Sequence, residues 1–193
     1  MIDMNITIRK AKPADAPQIL EIYASYVQNT AISFEREVPS VREFSARIEN
    51  TLKKYPYFVA ELDNEIVGYT YAGRFKTQAA YDWSVETTIY IKEKNRRGGI
   101  GAMLYERLES ALKAQGILNL NACIAYTDVE DMHLTNDSVT FHEKCGYQLV
   151  AHFHACGYKF NRWYDMVWME KMIGEHLLNQ PKVKPFCEIK EIQ

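Results

Sequence analysis

The sequence predicts an α/β chain of the α+β kind, with a mixed central sheet flanked by helices, and three observations carry that prediction. Apolar positions switch repeatedly between a two-residue period and a helical one, and the elements follow in the order βααβββαβαββ. A glycine-bearing turn in mid-chain joins a long strand to an amphipathic helix. At 193 residues, 47 % of them apolar, there is enough chain for one well-filled domain and too little for two of ordinary size.

Each element has its own signal. Ile6 and Ile8, with polar residues between them, read as a first strand. Pro13 and Asp15 open a helix on which Ile19, Leu20, Ile22, Tyr23 and Val27 recur at helical spacing. Ser40 and Glu43 have the spacing of a capping box and start a second helix. Tyr57 to Leu62 and Glu65 to Gly73 flank Asp63 and Asn64 as a hairpin. Trp83 to Lys92 reads as a long strand with Val85, Thr87, Ile89 and Ile91 on one face and Glu86, Thr88 and Tyr90 on the other. Ile100, Leu104, Leu108, Ala111 and Leu112 mark a helix to Gln115, stopped by Gly116. Leu118 to Ala125 is the next strand, Ser138 to Cys145 a short helix ended by Gly146, and strands over Tyr147 to Cys156 and Tyr164 to Met172 close the domain. From about Gly174 the periodicity lapses, so the expected division is a domain over residues 1–173 and a C-terminal appendage over 174–193.

Composition excludes several function classes. Twenty-three Lys and Arg stand against 25 Asp and Glu, for a net charge of −2, which gives no general pull toward nucleic acid or anionic membrane. The 12 % of aromatic residues therefore read as core and dimer contacts, with no base stacking. No apolar run approaches the roughly 18 residues of a membrane span, and the N-terminal stretch lacks the apolar core of a signal peptide, so a cytoplasmic protein is expected. Cys123, Cys145, Cys156 and Cys187 are far apart and read as reduced, mostly buried thiols. His152, His154 and Cys156 alternate along one strand, the minimum geometry of a metal site, but no fourth ligand is spaced to join them and no metal is expected.

The informative segment runs from Ile89 to Gly101. A strand through Ile89, Tyr90 and Ile91 leads to the turn Arg96-Arg97-Gly98-Gly99-Ile100-Gly101, of pattern R-x-x-G-x-G, and then to the helix containing Ala102. Glycines let backbone approach a ligand, and the free N–H groups of a first helical turn favour an anion such as a pyrophosphate. The plainer reading is a turn between strand and helix. The turn lacks the Lys-Ser/Thr of a nucleotide P-loop and the preceding βαβ unit of a dinucleotide fold, which disfavours both ligand classes.

Further stretches carry a resemblance: Ala72-Gly73 with Lys76, Ala80-Tyr-Asp-Trp-Ser-Val-Glu-Thr-Thr-Ile-Tyr-Ile91, Ser138-Val-Thr-Phe-His-Glu-Lys-Cys-Gly-Tyr147, and Gly157-Tyr-Lys159 followed by Trp163 and Asp165. With the glycine turn they resemble the GCN5-related N-acetyltransferase (GNAT) superfamily, in its phosphinothricin acetyltransferase branch, over roughly residues 5 to 172. The resemblance implies the GNAT fold with its splayed sheet, acetyl-coenzyme A (acetyl-CoA) as co-substrate, a small amino-acid-like amine as acceptor and a homodimer. Acceptors of the phosphinothricin, methionine sulfone or methionine sulfoximine type are implied. Carried over by residue, Ile89, Tyr90, Ile91, Arg96, Arg97, Gly98, Gly99, Ile100, Gly101, Ala102, Asn136 and Ser138 hold the co-substrate. Phe34, Lys76 and Thr88 meet the acceptor, and Glu86 is the general base. His142 stands where many members carry a tyrosine that meets the coenzyme sulfur. Three departures are visible: Gln78 replaces a second basic residue, Thr135 replaces an asparagine, and the loop from 126 to 137 is longer and more acidic than is usual.

The chemistry gives these residues reasons. An ammonium has no lone pair, so a base must take its proton before it attacks a thioester. Desolvation of Glu86 would raise its pKa toward the working range. A backbone N–H between Thr88 and Ile91 is the natural donor to the oxyanion. The leaving thiol, with a pKa near 8.5 by analogy with cysteine, needs little help from an acid. The plainer readings make Glu86 a strand carboxylate paired with Lys76, Lys76 a solvated loop lysine, and His142 a helix-surface histidine. Two other functions stay open, an acyl-CoA sensor without turnover and an enzyme for peptide amines with an acidic groove near Asp128, Glu130 and Asp131.

Overall fold

Alternating strands and amphipathic helices build one seven-stranded mixed sheet, ordered β1-β2-β3-β4-β5-β7-β6, in a computed structural model that describes residues 6–189. The strands are β1 (Ile6–Lys10), β2 (Tyr57–Leu62), β3 (Glu65–Arg74), β4 (Ser84–Ile91), β5 (Asn119–Tyr126), β6 (Gln148–Lys159) and β7 (Arg162–Met172). The helices are α1 (Ala16–Asn29), α2 (Val41–Leu52), α3 (Ile100–Gln115) and α4 (Asp137–Lys144). The element order is the one the periodicity predicts. Pro13–Asp15 form a 3-10 turn ahead of α1. There the Asp15 carboxylate accepts from Arg9 at 2.8 and 3.0 Å and from the Lys12 N–H at 2.7 Å.

Local signals set the ends of the elements. Ser40 Oγ accepts from Glu43 N–H at 3.2 Å while Glu43 Oε2 accepts from Ser40 N–H at 2.8 Å, completing the capping box of α2. Gly116, at φ +88°, ends α3 in the left-handed region, where a residue with a Cβ is strained.

The two faces of the sheet carry separate cores. On one, α3 buries Ile100, Leu104, Leu108 and Leu112 against Phe58, Val67, Val85 and Leu120. On the other, α1 and α2 cover an aromatic layer of Tyr23, Tyr26, Phe44, Tyr57 and Tyr69. Cross-strand pairing builds that layer, because Tyr57 faces Tyr71, Tyr69 faces Tyr90 and Tyr71 faces Thr88. Val85 and Thr87 of β4 are buried with the α3 core, while Glu86, Thr88 and Tyr90 lie on the aromatic side.

The sheet opens at its middle. β4 and β5 pair in parallel only from Ser84–Asn119 to Glu86–Asn121, whereas β5 continues against β7 as far as Tyr126–Asp165. Asn121 Nδ2 donates to Val85 O at 3.1 Å and Thr87 Oγ1 to Asn121 O at 3.3 Å, stapling the fork. Past it, the β5-facing edge of β4 has no strand partner among the described residues.

Two expectations need correction. Residues 174–189 do more than trail from the domain, because Phe186 is fully buried in the α3-side core with its ring edge-on to Phe58 at 5.8 Å. Gln115 Nε2 donates to Lys54 O and Lys184 O at 2.8 and 2.7 Å, and Trp83 Nε1 to Pro181 O at 2.7 Å. One aromatic anchor and a few backbone bonds leave no periodicity for a sequence reading to find. The cysteines are less buried than expected, because Cys123, Cys156 and Cys187 are exposed and Cys145 is half-buried; strand alternation turns Cys123 into the open fork and Cys187 follows a buried phenylalanine.

Candidate active site

A cleft of about 660 Å³ occupies the fork. Thr87, Thr88, Ile89 and Tyr90 line one wall and Ala122, Cys123, Ile124 and Ala125 the other. Glu86 sits at the closed end, half-buried, paired in register with Gly73 and Asn121. A Cβ on Gly73 would meet nothing within 4 Å, so the space beside the carboxylate is open. Burial pushes the Glu86 carboxyl above the usual carboxylate value, and the Lys76 ammonium offsets this in part.

The glycine turn is built for an anion. Arg97 at φ +63° and Gly99 at φ +83° bend the chain into α3, and alternation of this kind aims successive N–H groups into one concavity. The N–H groups of Arg97 to Ala102 donate to no acceptor among the described residues; the first helical bond is from Met103 N–H to Gly99 O. Arg96 is fixed below the turn, donating to Tyr26 Oη at 2.9 and 3.2 Å with its guanidinium 5.1 Å from that ring. Arg97 points outward beside Asp137 at 3.4 Å. These unpartnered donors and arginines fit a pyrophosphate.

Gly101 corrects the reason expected for it. A Cβ there would lie 2.9 Å from Phe141 Cε2 and 3.2 Å from Ile91 Cδ1, so this glycine admits the Phe141 ring and brings α3 close to α4. A Cβ on Gly99 would meet nothing within 4 Å and one on Gly98 only Asn95 O at 3.6 Å, so these two positions leave room for a ligand to approach the backbone.

His142 lines the cleft and is buried. Its Nδ1 lies 2.7 Å from Ser138 O, which can only accept, so Nδ1 carries the proton and Nε2 accepts from Tyr105 Oη at 2.8 Å. Burial lowers its pKa and favours this neutral form. Tyr105 Oη reaches Thr87 Oγ1 at 3.4 Å, and Thr87 Oγ1 lies 3.1 Å from Tyr147 Oη. The histidine thus belongs to a buried polar chain behind β4.

Phe34 lines the cleft and is held from behind, since a Cβ on Gly157 would overlap its ring. Lys159 Nζ donates to Val27 O, Thr30 O and Ser33 O at 2.7, 2.8 and 2.6 Å, tying the end of α1 to the loop that carries Phe34. Lys76 is not among the lining residues; its ammonium lies 5.0 Å from the Phe75 ring and 5.9 Å from the Trp168 ring. The Asn136 amide is engaged with the Thr127 backbone, accepting from N–H at 3.3 Å and donating to O at 2.8 Å.

Of the acidic loop, Asp131 accepts from His133 N–H, Leu134 N–H, Arg162 and Tyr164, and no acidic residue of the loop lines the cleft. The strand histidines find a different third member than expected: His152, His154 and Asp165 bring their ligand atoms within 4.8 Å of one another, with Cys156 outside the group. His152 Nε2 is 2.7 Å from Asp165 Oδ2. The bulge between Phe153 and Gly157, with Ala155 at φ +46°, breaks the alternation that would have aligned Cys156. Sequence reading missed Glu35, Arg47, Tyr57, Tyr105 and Cys123, all of which line the cleft. The one available signal was helical spacing, which sets Arg47 beside the buried stripe of Phe44 and Ile48.

Residues 8–168 match the family model described as an acetyltransferase (GNAT) domain. The chain is 33 % identical over 167 residues to a phosphinothricin N-acetyltransferase of Streptomyces viridochromogenes, covering 86 % of this chain and 87 % of that protein. It is 27 % identical to an L-methionine sulfoximine/L-methionine sulfone acetyltransferase of Pseudomonas aeruginosa, covering 86 % and 94 %. The crystal structure of a phosphinothricin acetyltransferase from Sinorhizobium meliloti in complex with acetyl-CoA superposes with a TM-score of 0.84 at 32 % identity, covering 95 % of this chain and 97 % of that one. No helix among the described residues is long and apolar enough to cross a membrane. The opened sheet, the free amide row and these likenesses agree that the chain belongs to the GNAT acetyltransferase family, an N-acetyltransferase with acetyl-CoA as co-substrate.

Proposed function

We propose that the protein acetylates the primary amine of a small amino-acid-like acceptor by direct transfer, with Glu86 as general base. The observation that carries this reading is the position of Glu86, half-buried at the fork with its carboxyl pushed up by burial and open space beside it. When bound, acetyl-CoA supplies the thioester carbonyl that an amine attacks. The N–H groups of Arg97 to Ala102 would hold its pyrophosphate, and Arg97, exposed beside Asp137, would add charge there. Glu86 takes the proton from the acceptor ammonium or from the nitrogen as it attacks, directly or through one water. A backbone N–H on the unpaired edge of β4 between Thr88 and Ile91 donates to the carbonyl oxygen as charge develops there. His142, with both ring nitrogens engaged, positions Tyr105 against Thr87 of β4 and delivers no proton itself.

The walls favour a small acceptor. Phe34, Tyr71 and Tyr90 enclose the space in front of Glu86, and Asp128, Glu130 and Asp131 lie outside the lining, which speaks against the peptide-amine alternative. The edge strand β6 exposes Leu149, Val150 and Phe153, and Trp163 stands exposed on the neighbouring β7; we take this face as the contact of a homodimer. A thiol-release assay with acetyl-CoA across amino acids, phosphinothricin, methionine sulfone and N-terminally free peptides tests the reading. Turnover confined to small amino-acid-like amines supports it. Binding of acetyl-CoA without turnover of any amine, the sensor outcome, rejects it.

A further inference from the structure

The part of the cleft lined by Glu35, Arg47 and Tyr57 holds chemistry that acetyl transfer leaves unused. Arg47 projects from α2 into it, donating through Nη1 to Glu35 Oε1 at 2.8 Å. Its other donors have no acceptor among the described residues. Tyr57 lines the same space with 2 % exposure, and its hydroxyl is a buried polar atom without a hydrogen-bond partner among the described residues. A buried hydroxyl left unpaired is costly, so an aromatic layer that could carry phenylalanine here carries a donor for something else. Tyr71 spans the gap to the reacting end: its ring stacks on Tyr57 at 4.9 Å, and it faces Thr88 in register, two residues from Glu86. An acceptor whose amine lies at Glu86 therefore extends along Tyr71 toward Arg47 and Tyr57.

We propose that Arg47 and the Tyr57 hydroxyl form the acceptor subsite for an oxygen-bearing, hydrogen-bond-accepting group, a carboxylate, phosphinate or sulfone, with Arg47 the residue that determines specificity. A guanidinium with unused donors matches paired oxygens in one plane, and the tyrosine hydroxyl supplies a further donor. Glu35 competes for Arg47 and keeps the empty subsite nearly neutral, which excludes non-cognate cations and anions alike. The proposal rests on the acetyltransferase reading for the placement of the amine, but binding alone tests it.

Calorimetric titration of L-methionine sulfone, phosphinothricin and L-methionine into the CoA-bound protein separates the cases. Arg47→Gln is expected to weaken binding of the sulfone and the phosphinate at least tenfold, and Tyr57→Phe, which keeps the stacked ring, about three- to tenfold. If L-methionine weakens equally, the group held is the α-carboxylate; if it does not, the group held is the side-chain oxygens. Glu35→Gln frees Arg47 and is expected to tighten binding, a sign opposite to that of a merely structural ion pair. Unchanged affinities in Arg47→Gln and Tyr57→Phe, or no binding of any of the three to the wild type, overturn the subsite. Because Glu86→Gln leaves these contacts intact, loss of turnover there with acceptor binding retained bears on the base alone.

Discussion

Replacing Gly101 by alanine tests the reason α3 begins where it does. The added methyl would lie 2.9 Å from Phe141 Cε2, 3.1 Å from Phe141 Cζ and 3.2 Å from Ile91 Cδ1. Phe141 cannot simply swing aside, because its ring packs against Tyr105 at 5.3 Å and His142 at 5.3 Å. The start of α3 must therefore lift, at a cost of about 1–3 kcal/mol for one overpacked methyl group. The free N–H groups from Arg97 to Ala102 move with it, so CoA affinity falls together with stability. Phe141→Leu removes the two ring atoms that make the clash. In the double variant, Gly101→Ala with Phe141→Leu, the substitutions should couple favourably by about 0.5–3 kcal/mol and CoA affinity should recover relative to Gly101→Ala. Urea denaturation measures the first and calorimetry with CoA the second. Additive destabilisation, with affinity still lost in the double variant, would show that the ligand and not Phe141 excludes a side chain at position 101.

Other perturbations reach the remaining parts of the account. Lys76 holds the Glu86 carboxyl down against burial, so Lys76→Met should move the acidic limb of the pH profile of kcat/KM upward, since the base works only when deprotonated; an unmoved limb refutes the electrostatic link. Lys159→Met strands the buried Val27 O and Ser33 O and the half-buried Thr30 O, and should cost about 3 kcal/mol in denaturant while raising KM for the acceptor through the loosened Phe34 loop. Phe186→Ala should cost about 3–5 kcal/mol, where a loosely attached tail would cost nothing.

Most of the fold was legible because its signals are local. The capping box at Ser40, the stop at Gly116 and the face alternation of β4 each depend on residues a few positions apart, and each appears in the structure. The glycine turn was legible for the same reason. What escaped depends on tertiary contact. Phe186 inserts into the core from a stretch with no period, Gly101 is a glycine because of a ring from α4 forty positions away, and the acceptor end of the cleft gathers Glu35, Arg47 and Tyr57 from a loop, a helix and a strand. His142 was found by motif, yet only the structure reveals that its two nitrogens are taken by Ser138 and Tyr105. Lys76 was read as an acceptor contact from its motif alone, and only the structure reveals that its ammonium lies over Phe75 and Trp168 and acts on the Glu86 carboxyl.

The carboxylate at the fork is tested most directly by Glu86→Gln, assayed for turnover, CoA binding and thermal stability on one preparation. Removing the base should lower kcat/KM by about 100- to 10,000-fold at neutral pH while CoA affinity stays unchanged. A folded-state carboxyl pKa raised by burial means that stability is lost as pH rises from the unfolded value through the folded one, so the neutral amide should melt at the same temperature as the wild type or higher at pH 7. A loss of activity smaller than tenfold, or a variant that no longer binds CoA, would contradict the account.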